Sequence, residues 1–278
     1  MRQLKYRHYL LVLSLFMFLG SCKVTKEQKS TARRASDFSE NYSYSKHFDE
    51  ESATYYYLTK INHKDKKGRL LKLRNGMAEK KEGETALEFA ERTKSDLVFN
   101  ASLGKQNLGP GVRQPIGIQI VDGKIVQDLT WKYYTLGIKD DNELLAFKPR
   151  VRAQEVLDAG ATNALTAFIP LIEDHKPVSE EIFKIAGHLQ KHPRQVIAQF
   201  DNLDILFLSC GGRGIDGEGM TAKDLVRILE KLNVKFAFNL DGGGSVSTVL
   251  EGRLITKHID EKGTKPRPRA NFLYVRRN

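Results

Sequence analysis

The segment best equipped for chemistry reads Asn-Leu-Asp-Gly-Gly-Gly-Ser and spans Asn239 to Ser245. Glycine loses more backbone freedom on folding than any other residue, so three in a row require a compensating use. Without Cβ atoms the chain can approach a ligand closely, and successive N–H groups can form a concave anion site. We therefore predict that the N–H groups of Gly242, Gly243 and Gly244 bind a phosphate.

A carboxylate and an amide stand just before these glycines. Asp241 and Asn239 follow the apolar run 234–238, which predicts a buried strand, so both side chains should lie at a strand end. A second interpretation stays open at this point. The segment could be a tight turn in which Asp241 only caps neighbouring N–H groups.

The bulk composition fits a globular protein with an anionic partner. The chain has 278 residues, 40 % of them hydrophobic, which allows one large domain or two small ones. Its formal net charge is +11, and Arg2, Lys5 and Arg7 carry three of these charges, which leaves +8 on the rest. Such a surplus favours a phosphate-bearing polymer or lipid headgroups.

The first residues predict export and lipid anchoring. A basic start precedes the apolar run 9–19, which is too short for a permanent transmembrane helix, and Leu-Gly-Ser-Cys follows. This tetrapeptide resembles the lipobox of bacterial lipoproteins, in which Cys22 would become the lipidated first residue. A plain secretory signal is the alternative.

The expected organisation has three parts: a signal peptide at 1–21, a polar tether at 22–50 and a folded domain at 51–278. The expected location is the bacterial cell envelope, facing the periplasm or the exterior, with Cys22 attached to the membrane. Nucleic acid is excluded as a partner, because an exported lipoprotein seldom meets it and no basic helix with interleaved aromatic residues is present.

Strands outnumber helices in the predicted domain. Thr85 and Thr221 begin helices, the first with a Thr-x-x-Glu capping box, and 151–159 predicts a third. An Asp-Gly pair at 122–123 between apolar runs predicts a hairpin. Further strands are expected at 55–58, 70–73, 97–99, 133–138, 144–147, 196–199 and 205–208, and a strand or irregular segment at 164–172.

The last third of the chain resembles the phosphodiester glycosidase family. The resemblance spans about 55–275, and its segments are His192-Pro193-Arg194, Gly212-Arg213, Gly219-Met220-Thr221, Asn239 to Ser245 and Arg267-Pro268-Arg269-Ala270-Asn271. It implies an α+β fold with a mixed, largely antiparallel β-sheet core and a few packed helices. It also implies a hydrolase that cleaves a sugar 1-phosphodiester.

Two positions depart from the family pattern. Members usually have Asn-Gly-Gly-Phe-Phe where this chain has Asn100-Ala101-Ser102-Leu103, so only Asn100 carries over. Members also have Asp-Gly-Arg where this chain has Gly211 before Gly212-Arg213, so a carboxylate is absent there. These departures favour the alternative of a non-catalytic lipoprotein that binds glycan or envelope polymer.

The expected reaction requires a phosphate site and a carboxylate near the anomeric carbon. Arg194 and Arg213 are the candidates for the phosphate, because a guanidinium pairs with two phosphate oxygens, although a structural or surface ion pair is the alternative for each. Asp241 is the candidate carboxylate. Because phosphate is already a good leaving group, one carboxylate could suffice.

The remaining candidates would bind substrate. Asn100 and Asn239 could donate to sugar hydroxyls, and Gly212 belongs with Arg213 to the substrate loop. Thr221 and Ser245 could bind phosphate or cap, and the helix that follows Thr221 favours capping there.

Metal and cysteine chemistry have weaker support. Asp241 with main-chain oxygens could hold a divalent cation, yet no compact series of acidic ligands surrounds it, so no cofactor is predicted firmly. His188 and His192 do not have zinc spacing with Cys210. A rival mechanism makes Cys210 the nucleophile and His192 its base, with Asp241 orienting the histidine, but a lone cysteine is more often a small buried residue.

Overall fold

A computed structural model describes residues 40–105 and 111–276. Its strands in chain order are β1 (Tyr42–Asp49), β2 (Thr54–Ile61), β3 (Arg74–Met77), β4 (Ser95–Asn100), β5 (Ile118–Val121), β6 (Lys124–Asp128), β7 (Thr135–Lys139), β8 (Leu144–Phe147), β9 (Ala161–Thr166), β10 (Ile169–Glu173), β11 (Lys176–Pro177), β12 (Arg194–Gln199), β13 (Ile205–Cys210), β14 (Phe236–Asn239), β15 (Thr248–Leu250), β16 (Arg253–Leu254) and β17 (Asn271–Arg276). The helices are α1 (Ala86–Thr93), α2 (Ala153–Asp158), α3 (Glu180–Phe183) and α4 (Ala222–Lys231).

The strands form three antiparallel sheets. The first has the order β1-β2-β13-β12-β14-β10-β11, the second β16-β15-β4-β17-β3 and the third β6-β5-β9-β7-β8. Every strand pair within these sheets of the described residues is antiparallel. The predicted α+β class with a largely antiparallel core and few helices is confirmed.

The largest cluster of buried side chains draws on all three sheets. At its centre, Phe99 of β4 stacks on Phe207 of β13, with ring centroids 3.5 Å apart. A second cluster packs the apolar face of α4 against the first sheet, and a third packs α1 against the second sheet through Phe89 and Phe272. Burial of these aromatic and aliphatic faces is the main stabilising contribution to the fold.

Both predicted helix caps form as complete capping boxes. Thr85 accepts from the N–H of Glu88, whose carboxylate accepts from the N–H of Thr85. Thr221 and Asp224 make the same reciprocal pair at the start of α4. At the predicted hairpin, Asp122 and Gly123 both have positive φ, as a type I′ turn requires.

The folded domain begins earlier than predicted. Strand β1 lies inside the range 22–50 that was assigned to the tether, so that part of the prediction is corrected. The strand is polar because it forms the edge of its sheet, and most of its side chains are exposed. The signal peptide, Cys22 and the first part of the tether lie outside the described residues. Among those that are described, no helix is both long and apolar enough to cross a bilayer.

Two sheets meet where the glycine-rich segment emerges. Strand β4 ends at Asn100 and β14 ends at Asn239, while β17 begins at Asn271, opposite the end of β4. Strand ends from the first and second sheets therefore converge on one edge of the core, and the candidate site is built there.

Candidate active site

Asp241 is fixed at this edge through its main chain and its carboxylate. Its N–H donates to the carbonyl of Ala101 (3.0 Å), and the Asn100 amide donates to its carbonyl (2.6 Å). In the carboxylate, Oδ1 accepts from the N–H of Gly242 at 3.0 Å and Oδ2 accepts from the Arg269 guanidinium at 2.5 Å. The side chain is 13 % exposed, so it is held rigidly but remains open on one side.

Arg269 is a functional candidate to which the sequence assigned no role. Its guanidinium also donates to the carbonyl of Ser102 (3.1 Å), and its Nε has no partner. Burial lowers the pKa of Arg269, and the neighbouring charge of Asp241 acts in the opposite direction. In the sequence, Arg269 could be noticed only as part of the segment 267–271 that resembles the family. That resemblance does not show whether Arg267 or Arg269 points into the protein.

Asp241 opens onto a cleft of about 980 Å³ with a basic surplus. Its charged lining comprises five basic side chains against three acidic ones: Lys105, Arg113, Lys265, Arg267, Arg269, Asp241, Asp260 and Glu261. The volume is at the upper end of that of small-molecule sites. Such a lining suits a ligand with a negative group beside hydroxyls.

The glycines of the turn serve close packing. Any side chain at Gly242 would overlap the carbonyl of Pro193, and any side chain at Gly244 would overlap the ion pair of Asp260 and Arg267. That pair is bidentate, with both hydrogen bonds at 2.6 Å. Gly243 adopts a φ of +61°, a left-handed conformation that favours glycine.

The turn does not present the predicted row of free donors. Of the three predicted donors two are already used: the N–H of Gly242 donates to the Asp241 carboxylate (3.0 Å), and that of Gly243 donates to the carbonyl of Pro193 (2.9 Å). The prediction of a phosphate cradle from successive N–H groups is corrected for this reason. Asp241 does cap a neighbouring N–H, as the alternative interpretation stated.

Arg194 has a structural position. It is 3 % exposed, its Nε donates to the carbonyl of Met220 (3.0 Å), and its terminal nitrogen donates to that of Gln190 (2.8 Å). Burial lowers its pKa to about 10. Because the guanidinium donates to main-chain carbonyls and does not line the cleft, its predicted phosphate contact is not supported.

Arg213 is placed beside the glycine turn. It is exposed, and its guanidinium lies 3.0 Å from the position that a Cβ of Gly243 would occupy. The structure thus places Arg213 beside the Asp241 turn, although Arg213 is not one of the residues that line the cleft. Gly212 packs against Pro193, where a Cβ would sit 2.8 Å from the ring, and does not bind a ligand through its N–H, which donates to Ile215 (2.8 Å).

The missing carboxylate before Gly212 has a steric explanation. A side chain at Gly211 would collide with Asp216, whose Cβ lies 2.6 Å from the expected Cβ position. The Asp216 carboxylate accepts from the Tyr57 hydroxyl and pairs with Lys257 at 2.6 Å. Burial raises the pKa of Asp216, but the bonds from Lys257 and Tyr57 outweigh burial and hold it below its usual value.

The two candidate asparagines are buried, and both amides donate to main-chain carbonyls. Asn100 bridges the glycine turn, because its amide donates to Asp241 while its oxygen accepts from the N–H of Ser247 (3.0 Å). Asn239 donates to the carbonyl of Leu240 at 2.8 Å, and its Oδ1 has no partner. Both are 0 % exposed, so the predicted contacts with sugar hydroxyls are not supported.

Thr221 caps α4, which favours the capping interpretation over phosphate binding. Cys210 is buried, and burial raises the pKa of its thiol to about 12. Its sulfur lies 3.8 Å from the carbonyl of His192, and burial lowers the pKa of that histidine. A protonated thiol in the core opposes the cysteine mechanism.

No cluster of three or more potential metal-binding side chains occurs among residues 40–105 and 111–276. In Asp241, both carboxylate oxygens already accept hydrogen bonds. Nothing in this geometry favours a cation at Asp241 over the contacts it already makes.

Fold and sequence together define the class of protein. The family model for phosphodiester glycosidases matches residues 67–276, and the chain belongs to that family.

Among its relatives is the SPbeta prophage-derived uncharacterized protein YomE of Bacillus subtilis (strain 168), 32 % identical over 183 residues. That match covers 64 % of this chain but 28 % of the relative, so the chain spans under a third of its length.

Two solved structures share the fold. The zebrafish N-acetylglucosamine-1-phosphodiester alpha-N-acetylglucosaminidase catalytic domain, auto-inhibited by its pro-peptide, superimposes with a TM-score of 0.68 at 19 % identity. The match covers 86 % of this chain and 83 % of that one. A hypothetical protein from Synechocystis gives the same TM-score at 14 % identity, covering 86 % and 63 % of the two chains.

Proposed function

We propose that this protein hydrolyses a sugar 1-phosphodiester in the cleft above Asp241. The observation that carries the proposal is that the Asp241 carboxylate, held by two hydrogen bonds, lines a large cleft together with five basic side chains. Membership of the phosphodiester glycosidase family supports the reaction class.

In this reaction a water oxygen bonds to the anomeric carbon while the bond from that carbon to the phosphate oxygen breaks. The electron pair leaves with the phosphate monoester, and the proton of water passes to a base or to solvent. Asp241 would stabilise the positive charge that develops at the anomeric carbon or accept that proton. Arg269 would orient the carboxylate from behind.

The phosphate would be bound by basic side chains of the cleft. Arg113 and Lys105 line the cleft, and Arg213, which is not one of its lining residues, lies beside Gly243 of the turn. The charge of Arg267 is paired with Asp260, so this side chain would shape the cleft and would not supply an unpaired charge to the phosphate. Charge-assisted bonds of this kind bind the diester and also stabilise the departing monoester.

The test uses the methyl diester of α-glucose 1-phosphate and that of N-acetyl-α-glucosamine 1-phosphate. Wild-type protein should release free sugar, and Asp241→Asn should lower the rate by about 10²–10⁴-fold, as expected for loss of a catalytic carboxylate. Arg152→Gln, an exposed change outside the cleft, is the matched control. Binding of the diesters without any turnover would instead establish a glycan-binding lipoprotein.

We further propose that the protein is lipid-anchored in the cell envelope. The support is the sequence alone, in which a basic start, an eleven-residue apolar run and Leu-Gly-Ser-Cys precede the domain. Wild-type protein should fractionate with membranes and carry acyl chains on Cys22 by mass spectrometry. Cys22→Ser should move it to the soluble fraction, and membrane retention of that variant would contradict the proposal.

A further inference from the structure

The connection between β2 and β3 is strongly basic. Over residues 64–72, five side chains are positively charged and only that of Asp65 is negatively charged. The five are Lys64, Lys66, Lys67, Arg69 and Lys72. The first four are exposed, whereas Lys72 is partly buried and pairs with Asp140 at 2.6 Å. This segment, which we call the basic loop, therefore presents a compact group of like charges to solvent.

Little of this charge is neutralised within the protein. The carboxylate of Asp65 closes the turn, because it accepts from the N–H groups of Lys67 and Arg69 (both 2.9 Å) and from the Arg69 guanidinium (2.7 Å). Neither Lys64 nor Lys67 makes an ion pair with any residue in the described ranges. Like charges without internal partners repel one another, so an external anionic partner would stabilise this arrangement.

The basic loop adjoins the point at which the chain enters the domain. Lys66 pairs with Glu40, and the Asn62 side chain donates to the Glu40 carbonyl (3.2 Å). The chain before Glu40 leads back to Cys22, the proposed lipid anchor. The 17 residues 23–39 can span at most about 60 Å, so the start of the domain stays within that distance of the anchor.

The Asp241 cleft lies at the opposite ends of the same strands. One row of paired residues crosses the first sheet beside the basic loop, and it consists of Tyr42, Ile61, Ile205, Gln199 and Phe236. Strand β14 runs away from this row, from Phe236 to Asn239, and Asp241 follows. A domain that rests on the basic loop therefore has its cleft on the side away from the support.

An extended anionic surface suits the basic loop better than a small anion does. A small ligand is normally held in a concave site by converging side chains, whereas these ammonium groups stand on an exposed turn. The phosphate headgroups of an anionic bilayer attract each nearby lysine or arginine without a fixed geometry, by about fivefold in affinity per charge. A lipid chain and a basic patch together give stable membrane attachment.

We propose that the basic loop docks the domain on the phosphate headgroups of an anionic bilayer and so directs the Asp241 cleft away from that bilayer. The docking depends on charge and does not require acylation, whereas the orientation rests on the proposed lipid anchor. A domain held in this way acts on a sugar phosphodiester presented beyond the headgroup layer, and not on a headgroup of the membrane beneath it.

Vesicle binding tests the docking. The purified chain with Cys22→Ser, which cannot be acylated, is mixed with vesicles of phosphatidylcholine alone or of phosphatidylcholine and phosphatidylglycerol in equal parts. It should prefer the anionic vesicles, and added salt should weaken this preference. Lys64→Gln with Lys67→Gln should weaken binding to the anionic vesicles about 25-fold, at about fivefold per charge.

A matched double variant separates the loop from net charge. Lys81→Gln with Lys148→Gln removes the same charge from exposed positions outside the basic loop and should bind as the parent chain does. The first residues of the chain are common to all these proteins, so their own affinity for lipid cancels in the comparison. Equal losses in the two double variants would overturn the docking.

A soluble polyanion distinguishes a bilayer from a charged polymer. Long-chain polyphosphate is titrated into the same Cys22→Ser protein at phosphate concentrations that match the anionic vesicles. Weaker binding to polyphosphate than to the vesicles is expected, because a bilayer surface can contact all the exposed charges of the loop at once. Tighter binding to polyphosphate would overturn the membrane assignment.

Energy transfer tests the orientation in the acylated protein. With Cys22 acylated and Cys210 buried, a cysteine introduced by Ser43→Cys or by Phe48→Cys can be labelled selectively. The two positions lie on β1, five residues and about 16 Å apart, and Ser43 is at the end near the basic loop.

On anionic vesicles with a labelled headgroup, transfer from the label at position 43 should exceed transfer from the label at position 48. Equal transfer, or greater transfer from position 48, would overturn the orientation. Absence of acyl chains on Cys22 would instead count against the proposed anchor, and the vesicle comparison with Lys64→Gln and Lys67→Gln would still decide the docking.

Discussion

The guanidinium of Arg269 and the carboxylate of Asp241 form an ion pair of 2.5 Å between side chains that are 8 % and 13 % exposed. Arg269 lies just before β17 of the second sheet, and Asp241 just after β14 of the first. The pair therefore joins two sheets, and both of its residues line the cleft. Burying it is costly, and its benefit is the fixed direction of one carboxylate.

Breaking this pair should destabilise the fold. Arg269→Leu leaves the Asp241 carboxylate without its cation, and we expect the free energy of unfolding to fall by about 3–5 kcal/mol. Urea unfolding of the two single variants and of Asp241→Asn with Arg269→Leu completes a double-mutant cycle. A coupling energy above about 0.5 kcal/mol is expected for groups in contact. Additive losses would show that the pair contributes little.

Gly244 should tolerate no side chain. In Gly244→Ala the new methyl would overlap Asp260 and Arg267, so either the turn or the ion pair must move. We expect loss of about 1–3 kcal/mol of stability, as for an overpacked site, and a lower turnover of the diester. Gly252→Ala, where a Cβ meets nothing within 4 Å but φ is +74°, measures the cost of backbone strain alone. Unchanged stability and turnover in Gly244→Ala would contradict the steric argument.

A buried amide network should control the position of Arg269. The nitrogen of the Asn271 amide has three acceptors within reach for its two hydrogens, the side-chain oxygens of Asn75 (3.1 Å) and Gln119 (2.9 Å) and the hydroxyl of Ser102 (3.1 Å). The Ser102 carbonyl accepts from Arg269. We expect Asn271→Leu to cost at least about 1–3 kcal/mol, because it leaves buried polar groups unpaired.

The activity of the same variant separates positioning from folding. Measured where Asn271→Leu is still folded, kcat should fall more than KM rises, because the network orients Asp241 and does not touch substrate. Asn202→Leu, which removes an amide near the protein surface, should leave kcat as in wild type. A pure KM effect in Asn271→Leu would contradict the positioning role.

His188 should give the fold an acid-sensitive component. The residue is 0 % exposed, and burial, aided by the charge of Arg194, lowers its pKa from 6.5 to about 3. Between these values the unfolded chain binds one more proton than the folded chain. The contribution of neutral, buried His188 to the free energy of unfolding is therefore fully present above pH 6.5. It is lost as the pH falls towards 3, at up to about 1.4 kcal/mol per pH unit.

The check compares the free energy of unfolding at pH 7 and at pH 5 in His188→Phe and wild type. The variant should lose less stability between the two values, whereas His47→Phe, at an exposed position, should follow wild type. Parallel curves for His188→Phe and wild type would show that His188 is not the group responsible.

Much of the fold could be predicted because local signals agreed with packing. Thr85, Thr221 and the pair at 122–123 specify caps and a turn within a few residues, and the structure has each of them. Strand β1 was missed because an exposed edge strand needs few apolar residues. Local sequence patterns do not show which polar segment will pair with the edge of a sheet.

The site was predictable only in part. The turn makes Asp241 a candidate, yet residue type does not show which arginines point inward: Arg194 reaches main-chain carbonyls, whereas Arg269 reaches Asp241. The polar side chain of Asn100 likewise forms hydrogen bonds within the protein, to Asp241 and Ser247, instead of facing a ligand. Such roles depend on contacts between distant parts of the chain. Asn100 and Asp241 are separated by 141 positions, and Arg269 and Asp241 by 28, so spacing alone does not encode these contacts.

Two hydrogen bonds of Asn100 tie the glycine turn of one sheet to a strand of the other. The turn cannot open without breaking both hydrogen bonds of Asn100. Its amide hydrogens should therefore exchange with solvent as slowly as those of the core strands, that is, only when the whole domain unfolds. Heat should therefore abolish catalysis and unfold the domain in a single step, and stabilising either sheet should extend the working temperature of the site.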